Sequence, residues 1–124
     1  MVTPSLSNVV SGGFSLLHEV TTDAISIAMS GNCDMETVPL LDSFLVALHA
    51  GAIRTGVRRV VFDCSDLFFM NSTSLKLFVT FLAKVKQLGA DKYHVHFKTN
   101  AGLAWQRRTI ESLRRFAPDV VRLD

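Results

Sequence analysis

Residues 63–76 read DCSDLFFMNSTSLK, and the change of character inside this stretch decides the fold class. Leading into it, from Arg58 to Cys64, Val60, Val61 and Phe62 follow one another without polar alternation. That is the pattern of a strand covered on both faces. Asp66 to Ser74 then reads as a turn, and beyond it apolar residues recur at Leu75, Phe78, Val79, Leu82, Val85 and Leu88. Lys76, Thr80, Lys84 and Gln87 fall between them, so this is a helix with one dry and one wet side, closing before Gly89. Leu77 and Phe81, four apart, sit between the two stripes. A buried strand running through a short loop into an amphipathic helix is the repeating unit of an α/β fold.

The flanks extend the same alternation. Upstream, Gly31, Asn32, Cys33 and Asp34 break a strand, Asp34 or Thr37 is placed to cap a helix, and Pro39 falls in its first turn. The stripe Leu41, Phe44, Leu45, Leu48 and Ala52 follows, with Gly56 closing the helix. Earlier still, Phe14 to Val20 and Ala24 to Ser30, separated by Thr21, Thr22 and Asp23, predict an antiparallel hairpin. Downstream, Lys92 to Lys98 predicts a strand, Gly102 to Phe116 a helix and Val120 to Leu123 a short last strand. The expectation is a single domain over residues 14–124 behind a flexible N-terminus at 1–13, where Ser, Asn, Gly and a proline show little periodicity. Its core is a mixed, mostly parallel sheet of four to five strands packed with helices and starting with a β-hairpin.

Composition agrees. The chain has 124 residues, 48% of them apolar, and a mean hydropathy of +0.30, which excludes a disordered segment and leaves no room for a multidomain enzyme. Its longest unbroken apolar run is Phe44 to Leu48, far short of the roughly 20 residues of a membrane span, and no charged-then-apolar leader opens it. A cytoplasmic protein is expected. The net charge is +2, with residues 1–66 summing to −4 and 67–124 to +6, too little to argue for nucleic acid. Cys33 and Cys64 have no CxxC or histidine spacing beside them and read as buried thiols.

Four small polar residues, Asn71, Ser72, Thr73 and Ser74, stand where the second helix starts. Capping needs one of them. The remainder suit a phosphorylation site: a phosphoserine carries about −1.5 to −2 charge, and at a helix N-terminus it meets free N–H groups and the positive end of the dipole.

The same run resembles the STAS domain of bacterial anti-sigma factor antagonists, in which a buried strand ends in aspartate and passes through a hydrophobic stretch into Asp-Ser-Ser-Gly-Leu at a helix start. Asp63 fills the strand-end position, Phe69 and Met70 the hydrophobic pair, and Asn71 to Leu75 the motif. Upstream, Gly31, Asp34 and Thr37, with Pro39 after them, are similar to the family's Gly-x-x-Asp-x-x-Thr run into its first helix. The resemblance spans Phe14 to Leu123. It implies a regulator that switches partners: unmodified, it binds a serine kinase of the histidine-kinase-like ATPase type that doubles as an anti-sigma factor; phosphorylation on Ser72 releases it, and a PP2C-type phosphatase resets it. Thr73 is a second acceptor in reach. The implied partner surface is Asn32, Asp34, Glu36, Phe68, Phe69, Met70, Asn71, Thr73, Ser74 and Lys76. Asn71 departs from the motif's aspartate and Ser74 from its glycine, so a STAS scaffold or transporter-regulatory subunit that is never phosphorylated is the alternative.

Other constellations carry less. His94 and His96 share one strand face, two ligands where a structural zinc wants four. His18 and His49 have no nucleophile or carboxylate at triad spacing, so no catalytic residue, metal or cofactor is assigned. Arg107, Arg108, Arg114 and Arg115, near Trp105, read as the solvated side of a docked helix pairing with Glu111 and Asp119, not as a nucleic-acid surface. Asn71-Ser72-Thr73 also satisfies the glycosylation sequon, which has no weight without a secretory signal.

Overall fold

Thr21, Thr22 and Asp23 turn the chain between Phe14–Val20 (β2) and Ala24–Cys33 (β3), with the Thr21 hydroxyl accepting the Ala24 N–H at 3.2 Å. In this computed structural model, which describes residues 6–123, a short strand Val9–Ser11 (β1) precedes that hairpin. After it come Val38–Thr55 (α1), Arg59–Met70 (β4), Ser72–Lys86 (α2), a 3₁₀ turn at Gly89–Asp91, His94–Lys98 (β5), Ala104–Phe116 (α3) and Val121–Leu123 (β6). The strands form one sheet in sequence order, β1 to β6. The β1–β2 and β2–β3 pairings are antiparallel and the other three are parallel.

The mixed, mostly parallel sheet that opens with a hairpin is as expected; three details differ. Order begins before Phe14, because Val9, Val10 and Ser11 pair with Leu16, Ser15 and Phe14 across a Gly12–Gly13 turn in which Gly12 has a φ of 55°. This strand takes the sheet to six, and of the expected loose terminus residues 1–5 lie outside the described residues. Second, β4 does not stop near Cys64 but runs to Met70, absorbing the predicted turn. Its register against β3 slips between Ala28 and Ser30 and again between Gly31 and Asn32, and such bulges let extra residues continue in an extended strand.

Third, β4 is covered on one face. Val60, Phe62 and Cys64 are buried while Val61 and Asp63 are half-buried and Ser65 exposed. The alternation repeats in β2, β5 and β6, and the buried rows join residues of all three helices in one core. Three helices therefore share one side of the sheet and leave the other open. α1 is apolar and long enough to cross a membrane by composition alone, but Leu41, Phe44, Leu45, Leu48 and Ala52 pack in that core. The buried stripe of α2 is Phe78, Phe81, Leu82 and Val85, with Leu75, Val79 and Leu88 only half-buried. The stripe is rotated toward Phe81 because α2 also packs beside α1, where Phe81 meets the ring of His49 at 6.2 Å. Phe62 anchors the centre, in edge contact with Phe78 at 5.2 Å and stacked on Phe97 at 5.4 Å.

The bulged part of β4 is held by a residue the sequence does not single out. Gln106, buried in α3, donates from Nε2 to the carbonyls of Cys64 and Leu67, both at 2.7 Å. Its Oε1 accepts the Asn100 N–H at 2.8 Å. One amide thus satisfies two carbonyls and an N–H at the irregular stretch. Gln106→Leu leaves two buried carbonyls and a half-buried N–H without their partner, and a loss of about 2–4 kcal/mol in chemical denaturation is expected; an unchanged midpoint would mean that water replaces the amide.

Candidate functional site

β4 carries the chain to Asn71, whose N–H donates to the Cys33 carbonyl at 2.9 Å, so the start of α2 is fastened beside the end of β3. Asn71 is the N-cap: its Oδ1 accepts the Ser74 N–H at 2.8 Å, and its carbonyl takes the Leu75 N–H at 3.1 Å. The N–H groups of Ser72 and Thr73 are left at the helix tip. Ser72 is exposed, and its hydroxyl makes no hydrogen bond among the described residues; Thr73 is half-buried. The hydroxyl stands in water at the positive end of the helix dipole, where an added phosphate gains two N–H donors and a favourable field.

Ser74 is different. It is 0% exposed, facing inward over Cys33, and so leaves the expected partner surface. The third helical residue of a docked helix turns toward the sheet, and a small side chain fits there in place of glycine. The Cys33 thiol is pushed up chiefly by burial, and that of Cys64 reaches about 12 for the same reason; both are buried and unpaired with each other. Neither is a nucleophile at neutral pH.

The other expected surface residues come together here. Asn32 and Cys33 pair with Phe69 and Met70. Beyond them Asp34 Oδ1 accepts the Glu36 N–H at 3.1 Å, while the Thr37 hydroxyl donates to the Asp34 carbonyl at 2.9 Å. Thr37 occupies the N-cap position of α1 but makes no side-chain cap bond, because its hydroxyl closes this turn instead. Phe68 and Phe69 are 58% and 48% exposed, Met70 is half-buried, and Asn32, Glu36 and Lys76 are exposed. Met35, in the turn that follows β3, is 64% exposed; its one signal in the sequence is an apolar side chain flanked by Asp34 and Glu36. Exposed aromatics beside a free hydroxyl are what a docking face requires.

Asp63 is not at a strand end. It lies within β4 on the open face, where its carboxylate accepts from the Ser65 hydroxyl at 2.6 Å and N–H at 3.0 Å. Those bonds, more than the Lys98 charge, hold it below the usual carboxylate range. Among the described residues no three His, Cys, Asp or Glu side chains gather as metal ligands. His94 and His96 flank Val95 on the open face, and burial, then Arg122 and Lys92, lower the pKa of His94. Arg107, Arg108 and Arg115 are exposed, and Arg114 pairs with Glu111 at 3.2 Å.

His49 Nδ1 lies 2.7 Å from Tyr93 Oη, and burial, then Lys84, lower its pKa. A base whose folded pKa is depressed takes up its proton first in the unfolded chain. His49 and His94 thus contribute stability that is complete above about 6.5 and lost as pH falls through their lower folded values. Urea midpoints compared at about pH 7.5 and about pH 5.5 should fall with pH, and His49→Gln should flatten the fall.

No protein-family model matches the chain, and no curated protein matches it. Solved structures do. An anti-sigma factor antagonist from Mycobacterium paratuberculosis superposes with a TM-score of 0.65 at 20% identity, over 89% of this chain and 84% of that one. The anti-sigma factor antagonist SpoIIAA in its unphosphorylated form gives 0.59 at 17%, over 90% and 87%. The phosphorylated form of SpoIIAA, a Bacillus cell fate determinant, gives 0.55 at 18%, over 90% of each chain. With its hairpin-led sheet, helices on one face and a capped serine-rich helix start, the chain has the fold of the anti-sigma factor antagonists, the STAS fold.

Proposed function

We propose that this protein is a cytoplasmic partner-switching regulator of the anti-sigma factor antagonist type, a binding module and kinase substrate and not an enzyme. The observation that carries the reading is the exposed Ser72 hydroxyl at the first position of α2, unbonded among the described residues, with the exposed Phe68 and Phe69 in the strand that leads into that helix. Unmodified, this face docks on a serine kinase of the histidine-kinase-like ATPase type that acts as anti-sigma factor. The contact comprises Asn32, Asp34, Glu36, Phe68, Phe69, Met70, Asn71, Thr73 and Lys76. The machinery of phosphoryl transfer is supplied by the kinase. Phosphorylation of Ser72 places a dianion in this docking face and ends the contact; a PP2C-type phosphatase restores it. That SpoIIAA, of the same fold, is solved in both unphosphorylated and phosphorylated forms supports the assignment.

Incubation with the serine kinase encoded nearest to the protein, with ATP, followed by mass spectrometry of the peptides should find phosphate on Ser72. Phosphate on Thr73 alone would move the acceptor by one residue. None with several candidate kinases would favour the unphosphorylated scaffold.

A further inference from the structure

Parallel sheets are as a rule covered on both faces, yet here β3 to β6 are parallel and all three helices lie on one side. The open face is written by the register. One row across it is Leu17, Ala28, Asp63 and Lys98; the next is Glu19, Ser26, Val61, His96 and Arg122. Val10, on the same face as Ser15, extends it over β1, and both Val10 and Leu17 are exposed. Along the strand order the face therefore passes from the apolar Val10 and Leu17 and the acidic Glu19 on β1 and β2 to a half, β4 to β6, in which Arg59, Lys98 and Arg122 outnumber Asp63 and Asp66. A shallow concavity of about 350 Å³ lies over its middle, lined among others by Leu17, Glu19, Val61, Asp63 and Lys98.

A face that carries an acid on one half and a net basic charge on the other is complementary to itself under a two-fold rotation, because an isologous contact sets each half against the opposite half of the other copy. We infer that the open face is a homodimer interface, two copies packing sheet on sheet about an axis that runs along the strands between β3 and β4. That axis lays β2 of each copy over β5 of the other. Glu19 then faces the row of His96 and Arg122, twice per dimer, and the half-buried Val61 and exposed Ala28 lose their water. Arg122 spends Nη1 on the Pro118 and Val121 carbonyls, both at 3.1 Å, which holds the side chain at the sheet edge and leaves Nε and Nη2 for a carboxylate. Aligned sheets pack this way at about 30°. The area suffices: five inter-strand steps of about 4.8 Å and a strand length of about 23 Å make a face of roughly 550 Å². Two copies bury about 1,100 Å², above the ~1,000 Å² of a specific contact.

The interface does not rest on the proposed switch. Sedimentation equilibrium of the whole chain between about 1 µM and about 500 µM should show the mass rising from monomer toward dimer. Glu19→Arg and Arg122→Glu should each raise the dimer dissociation constant about tenfold or more, and the double variant should restore it to within about threefold of the parent. Both side chains are exposed, so circular dichroism of the variants should match the parent. Monomer mass at every concentration, single variants without effect, or a double variant no better than the singles would each overturn the inference. So would a dimer lost in Phe68→Ser, which would place the contact on the other surface.

Discussion

Phosphorylated Ser72, or Ser72→Glu as its mimic, should bind the kinase about 100-fold more weakly than the unmodified protein, equivalent to about 2.7 kcal/mol, while the melting temperature stays where it was. Both halves follow from one position. In the free protein the dianion sits in water against the unbonded N–H groups of Ser72 and Thr73 and the positive end of α2, so it costs the fold nothing. In the proposed complex the same charge would be enclosed by the partner, and an uncompensated buried charge is destabilising by several kcal/mol. Lys76, one turn along α2 and exposed, stays in solvent and offsets little of this. Ser72→Ala removes the acceptor without adding charge, so it should bind as tightly as the parent and stay bound when ATP is added. Isothermal titration of the four forms, with a thermal melt of each, separates the effects. A mimic that binds normally sinks the switch; one that melts early means that the hydroxyl is structural.

The site was more legible than the sheet around it, and the reason is physical. A helix cap is local: Asn71 reaches three residues ahead, so its bond to Ser74 N–H is written in consecutive positions. Phe68 and Phe69 announce themselves as two aromatics beside polar residues. Ser74 could not be told from Ser72 by type, since which of them turns inward depends on the angle at which α2 docks. The length of β4 was hidden because Asp66 and Ser65 mimic a turn, and only the partner strand shows that the chain stays extended through two slips of register. Gln106 is further still from view. It is an ordinary polar residue in an arginine-rich helix until the carbonyls of Cys64 and Leu67, some forty positions back, are brought to it. The open face has the same origin: Val60, Val61 and Phe62 look alike in sequence, and only the number of helices available decides that Val61 goes uncovered.

Gly31 ties the sheet to the site, and Gly31→Ala should be the most damaging small substitution in the chain. Its φ is +89°, a region costing an ordinary residue about 1–3 kcal/mol. Space is worse than conformation: a Cβ there would lie 1.6 Å from the Gly13 carbonyl oxygen and 2.6 Å from its carbon. Both are backbone atoms and cannot swing aside. Relief requires β2 and β3 to part, which breaks the Asn32 N–H bond to that oxygen, now 3.0 Å, for about another 1–3 kcal/mol. A loss of about 3–5 kcal/mol and a fall of roughly 10–20 °C in melting temperature are expected. Gly56→Ala is the control, because Gly56 also has a positive φ, +70°, but nothing lies within 4 Å of the added carbon. It should cost only the conformational part, about 1 kcal/mol. The difference between the two variants isolates the crossing of β2 and β3. Since Asn32 leads directly into the turn at Asp34 and the bond from Asn71 to Cys33, whatever Gly31→Ala protein remains folded should also dock poorly, whereas Gly56→Ala should dock as the parent does. Equal losses in the two would show that strain, not contact, holds this corner.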